Sequence, residues 1–487
     1  MVTVKYGKKE IEVKKGTLLS DAIRLMEERV ETPCNCMGIC KKCRVEVRGS
    51  LSPREEIEEE LPVGRRLACI ARVVGDTEVF RLKEGELKVS EEDMEFHINT
   101  EDVGRVLAID VGTTGVSARL IDLKEGKVAG RYSGLNYQSE YGADVLSRIT
   151  YCIQNNVSDL QKAILKQIRD IIGEVGGADR IAVAGNTTMQ HLIYGEDPRP
   201  LAVSPYKPVF IEEKTFDIDG VETVLLPNAS SYVGADIVSG VAAVKLEERN
   251  NCLFIDIGTN GEMVLSMDGK LYGTSTAAGP AFEGMNIECG MRAGEGAIEG
   301  FEIGDEFTIK TIGTSSPRGI CGSGLMDIMS EFVKHKIVLK SGKFNPRMKA
   351  ELKEKLRDKR YYITEDIYLS QGDIRQIQLA KGAIAAGVKL LLSKAEKEIS
   401  DIDEVIIAGS FGYHLNPESI LRIGMVPAYR GRITFAGNTS LMGCIGYLTN
   451  KDMRMKIRKT KIDVMELSKN AEFQDVFVKE LQFQEKI

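Results

Sequence analysis

An internal repeat is the feature that most constrains the fold of this 487-residue chain. LAIDVGTTGVSARLID begins at Leu107, and LFIDIGTNGEMVLSMD begins at Leu253. Each copy has an apolar strand that ends in Asp, then a Gly-Thr turn and a second strand. Helical stretches with apolar residues spaced by three and four follow, such as IQLAKGAIAAGVKLLLSKAEKEI. The repeat therefore predicts an α/β architecture with two similar lobes.

Each copy of the repeat supplies a candidate phosphate loop. A carboxylate at the end of a strand can hold a hydrated Mg²⁺ ion, while a small turn lets backbone N–H groups and hydroxyls approach phosphate oxygens. Two such loops that face each other can bind the β- and γ-phosphates of one nucleotide. The candidate residues are Asp110, Gly112, Thr113, Thr114 and Gly115 in the first loop and Asp256, Gly258, Thr259, Asn260 and Gly261 in the second.

Further candidate residues for the nucleotide site lie outside the two loops. In VIIAGSFGYHLNP, a buried strand leads to Gly409 and Ser410, which are candidates for an adenosine-side loop; a plain strand-to-helix turn is the alternative. Glu262 and Glu283 are candidate catalytic residues that would position water or Mg²⁺ together with Asp110 and Asp256. An ordinary hydrogen-bonded carboxylate is the alternative for both glutamates. The sequence contains no G-x-x-x-x-G-K-[ST] motif, which disfavours the P-loop class.

Five of the ten cysteines fall in one N-terminal stretch. Cys34, Cys40 and Cys43 form a C-x5-C-x2-C pattern, and Cys69 follows at a distance. Ferredoxins place three thiolates on one loop and take the fourth from a later segment, so this spacing predicts a 2Fe-2S cluster with these four ligands. Cys36 stays open as a replacement ligand or a spare thiol. A zinc site is the alternative, but it would prefer two C-x2-C pairs and only one is present.

The charge balance gives no support for a nucleic-acid partner. The chain has 65 Lys and Arg against 72 Asp and Glu, a formal net charge of -7, and no basic block that would follow a phosphate backbone. The N-terminus alternates like a strand rather than a signal peptide, and no run of 18 apolar residues occurs. We therefore expect a cytoplasmic protein that does not bind membranes.

Two groups of segments resemble the reductive activators of corrinoid proteins. VKKGTLLSDAIRLMEERVETPCNCMGICKKCRVEV is similar to their β-grasp ferredoxin domain, although Asn35 and Cys36 depart from the common Cys-Gly-Gly start. AGNTTMQHL, YVGADIVSG, GPAFEG, GICGSGLMD, AGSFG, GNTSLMG and the C-terminal DVMELSKNAEFQDVFVKELQF resemble their ATPase domain. That domain belongs to the superfamily of acetate and sugar kinases, heat-shock chaperones and actin. The resemblance covers essentially the whole chain.

The resemblance implies a β-grasp 2Fe-2S ferredoxin domain followed by a two-lobed, actin-like ATPase domain of the duplicated ribonuclease H-like type. Because the predicted linker is short, we expect a short form that lacks the extra middle domain of known activators. The predicted boundaries are residues 1–84 for the ferredoxin domain, 85–104 for the linker, 105–250 for ATPase lobe I, 251–446 for lobe II and 447–487 for a C-terminal extension.

The resemblance also implies a function, that of an ATP-hydrolysing metalloreductase with a 2Fe-2S cluster, ATP and Mg²⁺ as cofactors. It would transfer one electron to the oxidised Co(II) corrinoid of a methyltransferase-system corrinoid protein, would take electrons from an upstream low-potential donor and would form a homodimer. Three alternatives stay open. They are activation of another low-potential metallocofactor, such as the nickel tetrapyrrole of methyl-coenzyme M reductase, a small-molecule kinase regulated by an iron-sulfur domain, and a redox-sensing module that binds ATP.

Overall fold

The structure is a computed structural model that describes residues 1–26, 28, 30, 32, 36, 43–59, 61–81, 96–313, 315–409, 415–426 and 429–484. Contacts between residues divide the chain into two compact units. The first unit comprises Met1–Gly85 and Tyr137–Asn156, and the second comprises Glu86–Asn136 and Val157–Ile487. Among the described residues, no helix is both long enough and apolar enough to span a membrane.

The first unit contains a mixed five-stranded sheet and two helices. Its elements are β1 (Val2–Tyr6), β2 (Lys9–Val13), β3 (Arg44–Leu51), β4 (Arg65–Leu67), β5 (Val73–Arg81), α1 (Leu19–Leu25) and α2 (Val145–Gln154). The strand order is β2-β1-β5-β3-β4, with β1 and β5 parallel at the centre. Alternate residues of β1, Val2 and Val4, join a core with Ile23 of α1 and Leu67 of β4, which is the arrangement expected of a β-grasp domain.

The second unit begins with the sheet that carries the first copy of the repeat. Its strands are β6 (Arg105–Val111), β7 (Gly115–Asp122), β8 (Lys127–Leu135), β9 (Arg180–Gly185), β10 (Lys214–Ile218) and β11 (Val221–Leu225), in the order β10-β11-β9-β6-β7-β8. The helices of this lobe are α3 (Val157–Val175), α4 (Thr187–Tyr194) and α5 (Ala235–Ala243). We refer to this part of the unit as lobe I.

The second copy of the repeat lies in a larger lobe, lobe II. Its strands are β12 (Cys252–Ile257), β13 (Gly261–Met267), β14 (Lys270–Thr276), β15 (Ala297–Ile303), β16 (Phe307–Thr311), β17 (Gly319–Ile320), β18 (Leu356–Arg357), β19 (Arg360–Tyr362), β20 (Tyr368–Ser370), β21 (Glu404–Ala408), β22 (Arg432–Gly437) and β23 (Asp463–Met465). Its helices are α6 (Gly322–Lys334), α7 (Ala350–Lys353), α8 (Gln371–Lys394), α9 (Pro417–Ile423), α10 (Thr439–Thr449), α11 (Lys451–Lys459) and α12 (Phe473–Glu480). The main sheet has the order β22-β21-β12-β13-β14-β23, and two three-stranded sheets accompany it.

The first strand of each repeat lies inside its sheet with the same neighbours. β6 pairs antiparallel with β7 and parallel with β9, while β12 pairs antiparallel with β13 and parallel with β21. Strands that are buried on both faces are apolar throughout, which is why VLAIDV and CLFIDI do not alternate. The shared topology confirms the predicted α/β fold with a duplicated lobe.

Helices α5 and α10 cross at small residues. A Cβ atom built on Gly443 of α10 would lie 2.3 Å from the carbonyl oxygen of Ser239 in α5, and one built on Gly240 would lie 2.7 Å from Thr439 Oγ1. The backbones can approach this closely only because side chains are absent at these two positions. Since α10 follows a lobe II strand and packs against β6 and β9, this crossing joins the two lobes.

Candidate functional site

The two phosphate loops face each other through their threonines. Thr114 Oγ1 and Thr259 Oγ1 lie 3.2 Å apart, and Thr259 Oγ1 donates to Glu283 Oε1 at 2.7 Å. A hydroxyl carries one hydrogen, so in the contact between the threonines the hydrogen comes from Thr114. The structure thus brings the predicted residues of both loops and Glu283 into one polar site between the lobes.

The first loop is held by asparagine side chains from outside the repeat. Asn186 Nδ2 donates to Thr113 Oγ1 at 3.0 Å, and Asn136 Nδ2 donates to the carbonyl oxygen of Gly112 at 2.8 Å. Asn438 Nδ2 donates to Asp110 Oδ2 at 2.8 Å. These contacts fix both the turn and its carboxylate, so the loop is ordered by residues that follow β8, β9 and β22 as well as by its own strands.

The second loop is shaped by its glycines. Gly258 N donates to the carbonyl oxygen of Asn260 at 2.9 Å, which closes the turn. A Cβ atom on Gly261 would lie 2.9 Å from Ile384 in α8, so helix packing requires glycine there. The side chain of Asn260 hydrogen-bonds to Glu262. Glu262 therefore belongs to the loop's hydrogen-bonded structure, and Ser275 Oγ also approaches its Oε1 at 3.4 Å.

Four carboxylates gather behind the loops: Asp110, Asp236, Asp256 and Glu262. Burial, followed by the charges of Asp236 and Asp110, raises the pKa of Asp256 to about 8. Burial and then Asp110 raise the pKa of Asp236 to about 7. Burial, with the charges of Asp236 and Asp256, raises the pKa of Glu262 well above its usual value. Burial also raises the pKa of Asp110, against the hydrogen bonds from Ser440 and Asn438.

This donor set fits a hydrated Mg²⁺ ion with a polyphosphate. Neighbouring buried carboxylates stay ionised together only when a cation offsets their repulsion. In the described part of the chain, no three His, Cys, Asp or Glu side chains form a group that could ligate a metal directly. Mg²⁺ commonly keeps several of its waters and uses one or two protein carboxylates plus phosphate oxygens, so a direct cluster of three is not required.

The predicted adenosine-side loop begins at Gly409. This residue has φ +127, and a Cβ atom on it would lie 2.3 Å from the carbonyl oxygen of Ile257, so only glycine fits between β21 and β12. Gly409 N donates to the carbonyl oxygen of Gly437 at 3.1 Å. Ser410, the other residue predicted here, lies outside the described residues.

A second candidate site is formed by cysteines of the first unit. The Sγ atoms of Cys43 and Cys69 lie 3.2 Å apart, and both residues are buried. This separation is longer than the roughly 2.05 Å of a disulfide bond, so the two thiols are neighbours and not a cystine. Cys36 contacts Cys69, and this hydrogen bond, followed by burial, raises the pKa of the Cys36 thiol. The predicted ligands Cys34 and Cys40 lie outside the described residues.

The two buried, adjacent thiols fit the donor chemistry of an iron-sulfur cluster, which takes thiolates from a loop and from a later segment. The described cysteines do not complete a metal site by themselves. Cys36 stands in the left-handed backbone region, with φ 61, and close to Cys69. The four ligands Cys34, Cys40, Cys43 and Cys69 stay a prediction, with Cys36 as the alternative to Cys34.

Three protein-family models match consecutive parts of the chain. Residues 2–74 match the model of the 2Fe-2S iron-sulfur cluster binding domain. Residues 106–249 match the RACo middle region, and residues 250–487 match the C-terminal domain of RACo, the ASKHA domain. The chain belongs to the family of reductive activators of corrinoid proteins. This confirms the predicted family, the 2Fe-2S ferredoxin fold and the ASKHA-type ATPase fold.

Individual proteins are also similar to this chain. The corrinoid activation enzyme RamQ of Eubacterium limosum is 32% identical over 386 residues, which are 71% of this chain and 64% of RamQ. The [Co(II) methylated amine-specific corrinoid protein] reductase of Methanosarcina barkeri is 24% identical over 389 residues, 69% of this chain and 68% of the reductase. A solved reductive activator for corrinoid, iron-sulfur protein superposes with a TM-score of 0.72 at 28% identity, covering 99% of this chain and 98% of that one.

The expectation of an activator without a middle domain is wrong. The RACo middle region matches residues 106–249, the segment that contains the first phosphate loop and that the sequence predicts as lobe I. The prediction rested on an additional domain inserted into the linker. The region instead consists of the first sheet of the duplicated fold, so it is already present among the residues assigned to the ATPase.

Several polar residues of this site were not predicted: Asp236, Asn136, Asn186, Asn438 and Ser440. A usable signal was a second repeat, since AGNTTM at the end of β9 and AGNTSL at the end of β22 follow one pattern. In both copies, the asparagine caps the helix that follows, because its Oδ1 accepts the N–H of Met189 or of Leu441. Both copies turn out to contact the first phosphate loop.

Proposed function

We propose that this protein is an ATP-dependent reductive activator that transfers one electron from a 2Fe-2S cluster to the Co(II) corrinoid of a corrinoid protein. The observation that carries the proposal is the combination, in one chain, of adjacent buried cysteines in a β-grasp unit with two facing phosphate loops backed by carboxylates. RamQ and the Methanosarcina barkeri reductase, whose names state corrinoid activation and reduction of a Co(II) corrinoid protein, support the choice of acceptor.

Nucleotide binding is needed because the electron transfer is uphill. Plant-type 2Fe-2S clusters have potentials of about −400 mV. The Co(II)/Co(I) couple of a protein-bound corrinoid lies lower, and each ~100 mV of uphill transfer costs about 2.3 kcal/mol per electron. ATP can offset this cost only if the closed and open arrangements of the lobes bind the oxidised and reduced partner with different affinities. The contact between α5 and α10 is the place where such closure would act.

The residues of the site have distinct roles in this proposal. Asp110 and Asp256 would hold a hydrated Mg²⁺ ion, and the backbone N–H groups of the two loops would contact phosphate oxygens. Glu283 orients the Thr259 hydroxyl through their 2.7 Å hydrogen bond. Asp236, which lies with Asp110, Asp256 and Glu262 behind the loops, is the residue that we assign to position the attacking water. The cluster supplies the transferred electron when it is bound by Cys43, Cys69, Cys34 and Cys40.

The remaining parts of the proposal concern partners and location. An upstream low-potential donor re-reduces the cluster, and the protein functions in the cytoplasm as a homodimer. The excess of acidic residues without a basic block agrees with a protein partner and gives no support for nucleic acid. The boundaries at residues 84, 104, 250 and 446 are part of the same proposal.

Anaerobic spectroscopy with a purified corrinoid protein tests the proposed function. Electron paramagnetic resonance of the dithionite-reduced protein should show a 2Fe-2S signal. ATP hydrolysis should increase when oxidised corrinoid protein is added, and Co(I) absorbance should appear only with ATP, with Asp256→Asn as the inactive control. A colourless protein with bound zinc contradicts the cluster, and absence of both stimulation and Co(I) across candidate corrinoid proteins contradicts the acceptor.

A further inference from the structure

A buried ion pair lies in the β-grasp unit beside the cysteine site. Arg66 Nη2 is 2.8 Å from Glu58 Oε2, and Arg66 Nε is 3.0 Å from Glu58 Oε1, which is the two-pronged geometry of a strong arginine–carboxylate contact. The side chains are 8% and 0% exposed. The surface pair of Lys5 with Glu10 in the same domain is more than half exposed.

The pair binds the backbone next to Cys69 and the backbone that follows β3. Glu58 Oε1 accepts the N–H of Leu67 at 2.8 Å, two residues before Cys69. Arg66 Nη1 donates to the carbonyl oxygen of Ser52 at 2.9 Å, at the end of β3. Since Cys69 follows β4, the pair joins the segment that carries this thiol to the end of β3, the strand that begins directly after Cys43.

The two cysteine segments are joined again next to the thiols. Ala68 N donates to the carbonyl oxygen of Cys43 at 2.9 Å, and the two Sγ atoms lie 3.2 Å apart. The carboxylate of Glu58 therefore fixes Leu67, Leu67 leads into the Ala68 contact, and the Ala68 contact sets the separation of Cys43 and Cys69. This is a continuous chain of hydrogen-bonded and covalent links from the ion pair to the cluster-binding thiols.

We propose that Glu58 and Arg66 are positioning residues for the iron-sulfur cluster, which they influence through the placement of Cys69 and through their own charges. This inference rests on the proposed function, because it requires the cluster at Cys43 and Cys69. A buried ion pair contributes little net stability compared with apolar residues of the same size, so stability alone does not account for it. Hydrogen bonds and fixed charges around cluster ligands tune reduction potential and ligand orientation.

The charges of Glu58 and Arg66 determine the direction in which each substitution shifts the reduction potential of the cluster. The reduced cluster carries one more negative charge than the oxidised cluster. Glu58→Gln leaves Arg66 as an uncompensated cation, which favours the reduced cluster and raises its potential. Arg66→Gln leaves Glu58 as an uncompensated anion, which disfavours the reduced cluster and lowers its potential. A general loosening of the domain would not produce opposite shifts from the two substitutions.

The experiment is a redox titration of the full-length protein, followed by electron paramagnetic resonance of the reduced cluster. We expect opposite shifts in midpoint potential for Glu58→Gln and Arg66→Gln, each with altered g values. Arg66→Lys keeps the positive charge but not the two-pronged contact, so its potential should return toward wild type while its g values stay altered. Glu10→Gln, which breaks the exposed pair with Lys5 in the same sheet, should leave both readouts unchanged.

The outcomes separate this inference from the proposed function. If the variants lose thermal stability but keep the wild-type potential and g values, the pair is only structural and the inference is wrong. If Glu58→Gln or Arg66→Gln does not fold, Arg66→Lys decides the matter, since unchanged g values in that variant overturn the inference. A wild-type protein without a 2Fe-2S signal overturns the proposed function and this inference with it.

Discussion

Asn438 and Asp110 are in contact although Asn438 follows β22, an edge strand of the main sheet of lobe II, and Asp110 lies near the end of β6 in lobe I. Asn438 Nδ2 donates to Asp110 Oδ2 at 2.8 Å, and Ser440 Oγ donates to Asp110 Oδ1 at 2.7 Å. Both donors lie at the N-terminal end of α10. The carboxylate of the first phosphate loop is therefore oriented by a helix that enters from the other lobe, so any movement of α10 reaches the loop directly.

Removal of this contact should impair nucleotide use more than it impairs folding. A hydrogen bond to a charged group is worth about 1.5–3 kcal/mol, so Asn438→Ala should lower kcat/KM for ATP by roughly tenfold or more. The substitution also removes the cap of α10, because Asn438 Oδ1 accepts the N–H of Leu441. Steady-state ATPase assays together with thermal unfolding measure the two effects separately.

The matched control for Asn438→Ala is Asn450→Ala. Asn450 caps α11 by accepting the N–H groups of Asp452 and Met453, and it makes no contact with Asp110 in the described residues. Loss of that cap should cost about 1 kcal/mol of unfolding free energy and leave ATP hydrolysis near wild type. Equal losses of activity in the two variants would show that capping, and not the Asp110 contact, is responsible.

Asp256→Asn should lower the ATPase activity without lowering the stability of the fold. The pKa of Asp256 is raised to about 8 by burial and by neighbouring carboxylates, so its ionised form is destabilised without a cation. The asparagine variant should therefore melt at an equal or higher temperature than wild type in EDTA. Its Mg²⁺-dependent ATPase activity should fall by roughly a hundredfold. Differential scanning calorimetry with and without Mg·ATP checks the stability and a steady-state ATPase assay checks the activity; a lower melting temperature in EDTA contradicts the argument.

The sequence indicated candidate site residues that are adjacent in the chain. It did not indicate site residues that come together only through the packing of distant elements. The two candidate phosphate loops could be recognised because Asp110 and the Gly-Thr turn are adjacent in the chain and the second copy repeats them, and their phosphate contacts stay a prediction. The contact with Asn438 could not, since it depends on how α10 of one lobe packs on the sheet of the other. The proximity of Asp236 to Asp256 likewise requires the placement of α5. The middle region was missed because it has no separate boundary in composition.

Two glycine substitutions, one at the crossing of α5 and α10 and one in α3, should change the stability of the fold in opposite directions. A Cβ atom on Gly443 would lie 2.3 Å from the carbonyl oxygen of Ser239, so Gly443→Ala should push α5 and α10 apart and cost about 1–3 kcal/mol. A Cβ atom on Gly173, in α3, would meet no atom within 4 Å, so Gly173→Ala should stabilise the fold by about 0.4–1 kcal/mol. Urea unfolding gives both values, and a neutral Gly443→Ala would show that the crossing is not tight in solution.

A buried lysine predicts how the C-terminal segment responds to pH. Lys381 is fully buried in α8; its Nζ donates to the carbonyl oxygen of Gln482 and lies 5.4 Å from the centre of the Phe483 ring. Burial lowers the pKa of Lys381 to about 8; the charge of Glu480 opposes this shift, and the charge of Lys389 adds to it.

Because of this lowered pKa, the folded state binds fewer protons than the unfolded state between pH 8 and about 10.4. The free energy of unfolding should therefore rise across that interval, by about 3 kcal/mol in total. In Lys381→Met this rise should disappear, whereas Lys389→Met, at a half-exposed position, should keep most of it. Urea unfolding at several pH values measures the slope, and a Lys381→Met slope equal to that of wild type would contradict the assignment.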